Sequence, residues 1–356
     1  MRLATHSVSS HSSITSCSRQ AQLHPTCLPV PQHRLSCKQA AAPNTVARAG
    51  SNGNGTSSTK QQQQQQQHIS IIASDVDGTL LNSQQQLTPA VEAAVKQAAA
   101  AGVPLIVATG KARGPWVPEV LPRLGLTLPG VFLQGLLITD AQGNVLHSRC
   151  LPDDVVDSCI QLAAQHDITL TAYCSDRIFC KAIDEHTNRL LWYKEPTPEP
   201  VGDLATHLLG SVEAQKLIFM APQAVIDVVR PGIEAALAGR ASCTTALSGM
   251  LEVLPLGASK GAGVAWLLDY LGMDPAGMLA LGDGENDIEM LQLAAVGVAM
   301  GNAGVKVKGV ADAVVGSNDE DGVAQAIQQY VLAPRGLSDA APSVAAAAAV
   351  ASSSSQ

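Results

Sequence analysis

Aromatic residues are scarce in this chain of 356 residues: three Trp, four Tyr and three Phe make up 3% of it, while 46% is hydrophobic overall. Any core must therefore be built from Ala, Val, Leu and Ile. No apolar run approaches the 18 or so residues that a membrane-spanning helix requires, so no membrane partner is expected. Acids are missing from the start of the chain. No Asp or Glu precedes Asp75, whereas six Lys or Arg do. Of the 22 Lys and Arg in the whole chain, 16 therefore lie beyond that point, against all 30 acids, a formal charge of −14. A body this acidic is a poor binder of nucleic acid or anionic membrane, so no nucleic-acid partner is expected. Paired cysteines are absent too. Cys17, Cys27 and Cys37 fall in the acid-free stretch, and Cys150, Cys159, Cys174, Cys180 and Cys243 are scattered with no CxxC. An odd, dispersed set predicts small buried residues and no disulfide framework.

Residues 1–68 are rich in Ser, Ala, Gln and Pro, mildly basic and free of acids, and they end in the run Gln61 to Gln67. No compact apolar h-region marks a secretory signal. The composition predicts an organellar transit peptide, with a chloroplast (stroma) destination, followed by a disordered Gln-rich linker. The Ala/Ser-rich stretch 334–356 reads as a disordered tail.

Between these ends the chain alternates buried strands and amphipathic helices. "HISIIAS" is followed by "LTPAVEAAVKQAAAAGVPLIVATG". Thr88 suits an N-cap, with Pro89 at the first helical position and Gly102 past the end. Val91, Ala94, Val95 and Ala98 fall on one stripe. "VPLIVA" is apolar throughout, as a parallel strand covered on both faces would be. "GVFLQGLLITD" (130–140) reads as a further strand. In the last third, residues 251–254 read as a strand, "SKGAGVAWLLDYLG" as a helix capped by Ser259, and "MLALGDGENDIEMLQLA" as strand, acidic turn and helix. Strands in "VGVAM" and "AVVG" and a last helix in "DGVAQAIQQYVL" complete the series. This alternation predicts an α/β protein with an open parallel sheet and helices on both faces. Residues 152–246 have a different texture, with a proline cluster in "KEPTPEP" and strand-like runs in "ITLTAYC", "RIFCKAI" and "AQKLIFM". They are expected to form an inserted α/β domain. The main domain would then comprise 69–151 and 247–333.

The stretch "IIASDVDGTLLNS" (71–83) sets two aspartates one residue apart at the end of a buried strand. Buried like charges are costly without a cation, and Asp-Gly is also ordinary turn chemistry. The parallel sheet decides between these readings. The carboxyl ends of its strands share one edge, where ligands bind. That edge gathers Asp75 and Asp77, then Thr109 and Gly110, then Asp283, with Asp287 four residues on and Lys260 opening a helix. Oxygen ligands of this kind suit Mg²⁺, and a lysine beside helix N-termini suits a phosphate. One carboxylate could attack phosphorus and a second could protonate the leaving oxygen.

In these residues the sequence resembles the haloacid dehalogenase-like (HAD) phosphohydrolases, specifically the Cof-type branch. The family's DxDGT stands here as Asp75-Val76-Asp77-Gly78-Thr79, its strand-ending Thr as Thr109, its lysine as Lys260 in "SKG", and its GDxxND as Gly282 to Asp287. "GVAMGNA" and "SNDEDGVA" resemble the Cof-type tail. The resemblance covers roughly 69–332 and includes all four motifs in order. It implies a HAD fold, a Rossmann-like sheet with an inserted α/β cap. It further implies Asp75 as nucleophile and Asp77 as general acid/base. Mg²⁺ would be held by Asp75, the backbone carbonyl of Asp77, and Asp283, with Asp287 supporting through water. Thr109, Gly110 and Lys260, aided by Asn286, would bind the phosphoryl group.

Two positions depart from the bacterial Cof pattern. Lys111 stands where "ATGR" is usual, and Gln134-Gly135-Leu136 where "NGA" is usual. "ATGK" with "PGVFLQGLL" looks like the plant plastid members, some of which are fused to a YbeY-like ribonuclease rich in metal-binding histidines. The nine histidines here are dispersed, so that module is not expected in this sequence. The leading expectation is a Mg²⁺-dependent phosphatase of small phosphate monoesters, of sugar-phosphate or flavin-pathway type, acting as a monomer or homodimer. The alternative is a catalytically weak binding module beside a plastid RNA-processing factor. The presence of Asp75, Asp77, Lys260 and Asp283 together favours the enzyme. His147, His166, His186 and His207 are expected to be surface or cap residues, and Trp266 a packing residue.

Overall fold

The computed structural model describes residues 68–337. The predicted transit peptide and Gln-rich linker, up to residue 67, and the tail beyond Leu337 lie outside the described residues. β1 (Ile71–Ser74) leads through a turn to α1 (Pro89–Ala100). The Thr88 hydroxyl accepts the Val91 amide at 3.2 Å, with Pro89 at the first position, as the spacing predicts. Val91, Ala94, Val95 and Ala98 are the buried stripe of that helix. β2 (Leu105–Val107) and α2 (Trp116–Leu124) follow.

The run 130–140 departs from expectation. It is two antiparallel strands, β3 (Gly130–Phe132) and β4 (Leu137–Thr139), and β5 (Val145–Ser148) pairs with β4 to complete a three-stranded sheet. The chain reverses because Leu133, Gln134 and Gly135 all take positive φ, at 51°, 59° and 87°. Apolar periodicity cannot reveal such a turn when two of its three residues are not glycine.

The next stretch forms a second, six-stranded sheet. In chain order it comprises α3 (Asp153–His166), β6 (Thr169–Cys174), β7 (Arg177–Cys180), α4 (Glu185–Trp192), β8 (Pro198–Pro200), α5 (Leu204–Leu208), β9 (Lys216–Met220), α6 (Gln223–Leu237), β10 (Ala241–Leu247) and β11 (Met250–Pro255). The strand order is β10-β11-β9-β6-β7-β8. β11 was expected in the main sheet. It pairs instead with β9 and, through a hairpin whose ends are Leu247 and Met250, with β10. Ser248-Gly249 makes that two-residue turn, with Gly249 at φ 75°. The second sheet therefore runs on to Pro255, past residue 246.

The chain then returns to the first sheet through α7 (Lys260–Leu271), β12 (Met278–Gly282), α8 (Ile288–Leu293), β13 (Val296–Ala299), α9 (Val305–Lys308), β14 (Ala313–Val314) and α10 (Gly322–Ile327). The first sheet has the order β14-β13-β12-β1-β2, and all its pairs are parallel. Alternate residues of each strand serve opposite faces. Ile72, Leu279 and Val298 pack in one core with residues of α1 and α10. Ile71, Ala73, Met278 and Ala280 pack in another with residues of α7 and α8. Helices thus cover both faces. Residues 334–337, expected to begin the disordered tail, are ordered. Arg335 donates to the Ile69 carbonyl at 2.5 Å and pins this end beside the start of β1. The five cysteines of the described residues are free. His147 stacks on half-buried Trp266, which stacks in turn on Tyr270.

Candidate active site

Three neighbouring strands of the parallel sheet end at one place. Asp75 follows β1, and its amide donates to Leu281 of β12 at 3.0 Å. Thr109 follows β2, and Asp283 follows β12. Lys260 enters from the first turn of α7, whose start is fixed by the Ser259 hydroxyl accepting the Ala262 amide. Its ammonium is buried between two acids, 2.7 Å from Asp75 Oδ1 and 2.5 Å from Asp287 Oδ1. The other Asp287 oxygen accepts the amides of Asp283 and Gly284 at 3.0 and 2.9 Å. Thr79 donates to Asp283 Oδ1 at 3.0 Å, and Asn302 donates to its other oxygen at 3.2 Å.

Oxygens of Asp75, Asp283 and Asp287 all lie within 4.8 Å of one another. The set consists of hard oxygen donors, which fits a small divalent cation. Gly78 makes the approach possible. Its φ is 77°, and a Cβ there would sit 2.4 Å from Asp283 Oδ2. Burial, reinforced by Asp287 and Asp283 and opposed by Lys260, holds the Asp75 carboxyl well above the usual range. Burial, then Asp287 and Asp77, pushes Asp283 up to about 6 against the Thr79 and Lys260 interactions. Burial would pull the Lys260 ammonium down, but Asp287 and Asp75 outweigh it and raise the group above its ordinary value. The cluster is thus short of positive charge.

The Asp77 carboxylate stands apart from this cluster. Its partner is the buried Lys111, at 3.1 Å, which also donates to the Tyr193 carbonyl just after α4. Thr109 is buried, and its hydroxyl accepts the Lys111 amide at 3.1 Å. Gly110 and Asn286 line a cavity of about 100 Å³ together with Asp75, Asp77, Thr109 and Asp283. The structure therefore brings every residue expected at the site, except Lys260 and Asp287, to the cavity wall, and places those two directly behind Asp75.

The opposite wall comes from the second sheet, and this part escaped sequence reasoning. Tyr173, Glu195, Lys216 and Glu252 line the same cavity. Lys216 and Glu252 are buried and lie 2.6 Å apart. A signal did exist, since each is a lone charge in a strand of otherwise apolar residues, "KLIFM" and "MLEVLP". Burial raises Glu195 to about 7, against the pull of Lys111 and Lys216, with Asp77 adding to the rise and the Ala112 amide opposing it.

The profile of the haloacid dehalogenase-like hydrolases matches residues 72–327. The chain belongs to that family, in its Cof-type phosphatase branch, and is a hydrolase. It is 41% identical over 274 residues to a protein of Arabidopsis thaliana named chloroplastic endoribonuclease YBEY, over 73% of this chain and 46% of that one. The chain thus spans about half the length of that relative. It is 28% identical to the 5-amino-6-(5-phospho-D-ribitylamino)uracil phosphatase YcsE of Bacillus subtilis, over 74% of this chain and 96% of that protein. Among solved structures, a haloacid dehalogenase-like hydrolase from Bacteroides thetaiotaomicron superposes with a TM-score of 0.67 at 26% identity, over 73% of this chain and 99% of that one.

Proposed function

We propose that the chain is a Mg²⁺-dependent phosphatase of small phosphate monoesters, with Asp75 as nucleophile and Asp77 as general acid and base. The observation that carries this reading is the buried Asp75 carboxylate beside Lys260, within reach of Asp283 and Asp287, at the carboxyl edge of a parallel sheet. In the first step an Asp75 oxygen forms a bond to phosphorus while the ester oxygen leaves and takes a proton from Asp77. In the second, water attacks the aspartyl phosphate, gives a proton to Asp77 and releases Asp75 with inorganic phosphate. Thr109, Gly110, Lys260 and Asn286 orient the phosphoryl oxygens. Mg²⁺, held by Asp75, the Asp77 backbone carbonyl and Asp283, with Asp287 supporting through water, would offset the repulsion between carboxylate and phosphoryl group.

The second α/β unit serves as the cap that selects the substrate. The likeness to YcsE supports a flavin-pathway or sugar phosphate as the ester. A chloroplast stroma location is supported by the acid-free first 68 residues and by the relative named chloroplastic. That relative's ribonuclease name also favours a second reading, a binding module beside a plastid RNA-processing factor. Hydrolysis of p-nitrophenyl phosphate by the full chain with Mg²⁺ decides between them. The wild type should turn over, and a folded Asp75→Asn protein should not. Steady turnover by Asp75→Asn would sink the aspartyl-phosphate route, and none by the wild type would favour the module.

A further inference from the structure

Gln134 touches both sides of the cavity. Its side-chain amide donates to Glu252 Oε2 of β11 at 2.8 Å, and its carbonyl accepts from Asn286 of the GDxxND loop at 3.0 Å. The orientation is fixed chemically, because a carboxylate only accepts. Glu252 Oε1 accepts in turn from Lys216, and Lys216 donates onward to the Gly110 carbonyl at 2.8 Å. The Gln134 amide packs so closely on Gly110 that a Cβ there would lie 2.6 Å from Nε2. The Gln134 backbone amide donates to the Thr109 carbonyl at 3.1 Å, which completes a ring. Gln134, Lys216 and Glu252 are each at most 4% exposed.

We infer that Gln134, Glu252 and Lys216 are positioning residues: a relay that fixes Gly110 and Asn286 in working geometry only when the second sheet is seated on the first. Each member has a specific reason to be there. Lys216 and Glu252 neutralise each other in a place where either alone would be an uncompensated buried charge. Gln134 is held at φ 59°, a backbone strain that the three surrounding contacts offset. Its amide has one donor end and one acceptor end, so it joins an acceptor on one sheet to a donor on the other. The relay deepens the phosphatase reading, and its kinetic readout rests on that reading, but the contacts can also be tested without turnover.

The test exchanges the two groups in the full chain. Gln134→Glu sets two carboxylates face to face. Glu252→Gln leaves one amide to satisfy two donors, Lys216 and Gln134. In the double substitution the carboxylate at 134 accepts from Asn286 and from the new amide at 252, while that amide's oxygen accepts from Lys216. Each single should lower kcat for p-nitrophenyl phosphate about 10- to 100-fold, with a smaller change in KM, and the double should recover to within about threefold. Backbone amide exchange of the ligand-free protein at 109–111 and 285–287 should quicken in each single and return in the double. A double that melts like the wild type yet recovers neither kcat nor exchange protection would overturn the relay, as would singles that leave both unchanged. If the wild type does not turn over, the phosphatase reading falls, and the exchange data alone decide the relay.

Discussion

The Lys260 ammonium stands 2.7 Å from the Asp75 carboxylate, and both groups are buried. The same nitrogen holds Asp287. Lys260→Met would leave two buried carboxylates without a cation. Removing one partner of a buried pair costs about 3–5 kcal/mol, so the variant in EDTA should melt about 10 °C below the wild type. Mg²⁺ should restore part of the loss, since a cation among the acids supplies charge that the lysine no longer does. Equal melting temperatures in EDTA would show that the lysine contributes binding chemistry only.

Gly78 offers a separate handle on the acidic cluster. Alanine there would meet Asp283 Oδ2 at 2.4 Å and would be held at φ 77°. The backbone strain alone costs about 1–3 kcal/mol, and Asp283 must move away. Gly78→Ala should therefore lower the melting temperature and, to a greater degree, weaken the stabilisation that Mg²⁺ gives. Thermal melts over a Mg²⁺ series would show it. A stability loss with the Mg²⁺ response intact would mean that Asp283 is not a metal ligand.

These two sites were legible in the sequence for a physical reason. Asp75, Thr109 and Asp283 each end a buried strand, parallel strands put their carboxyl ends along one edge, and the order β12-β1-β2 makes these three neighbours. Lys260 was legible from its place beside the N-cap Ser259. The second-sheet wall was not, because Lys216 and Glu252 find each other only through the pairing of β9 with β11. The Ser248-Gly249 hairpin ties β11 to β10, and β11 thereby lies in the second sheet and not in the main one. Gln134 is legible in the sequence only as a departure from the bacterial pattern. Its left-handed backbone, which splits residues 130–140 into two strands, left no mark in the apolar pattern.

The Mg²⁺ response should depend on pH. Asp283 is pushed up to about 6, mainly by burial, and Asp75 is raised as well. A carboxyl whose folded pKa exceeds its unfolded value stabilises the fold while protonated. For Asp283 that contribution is complete below 3.8 and is lost as pH rises through about 6. The metal requires the ionised form. At pH 5 about a tenth of such a group is ionised, so Mg²⁺ affinity should be about tenfold weaker or more than at pH 7. Calorimetric titration at the two pH values checks this. The same dissociation constant at both would mean either that these carboxyls are already ionised at pH 5 or that they do not bind the metal.

Asp77 is held away from the acidic cluster by Lys111, at 3.1 Å, and lines the cavity where a leaving group would sit. A general acid matters in proportion to how badly the leaving oxygen needs a proton. A sugar alkoxide is a strong base and a poor leaving group and needs it badly, whereas a nitrophenolate, whose conjugate acid has a pKa of about 7, needs it little. Asp77→Asn keeps the backbone carbonyl proposed for the metal and removes the oxygen proposed to carry the proton. The variant should transfer phosphate from p-nitrophenyl phosphate to Asp75 far better than from a sugar phosphate. Breakdown of the aspartyl phosphate should be slow, because Asp77 would also take the proton from the attacking water. Rapid-quench kinetics should show a burst of nitrophenol close to one equivalent, then a steady rate reduced about 10²- to 10⁴-fold. Equal losses for both substrates with no burst would make Asp77 a structural partner of Lys111, and the acid–base assignment would have to move to another residue of the cavity.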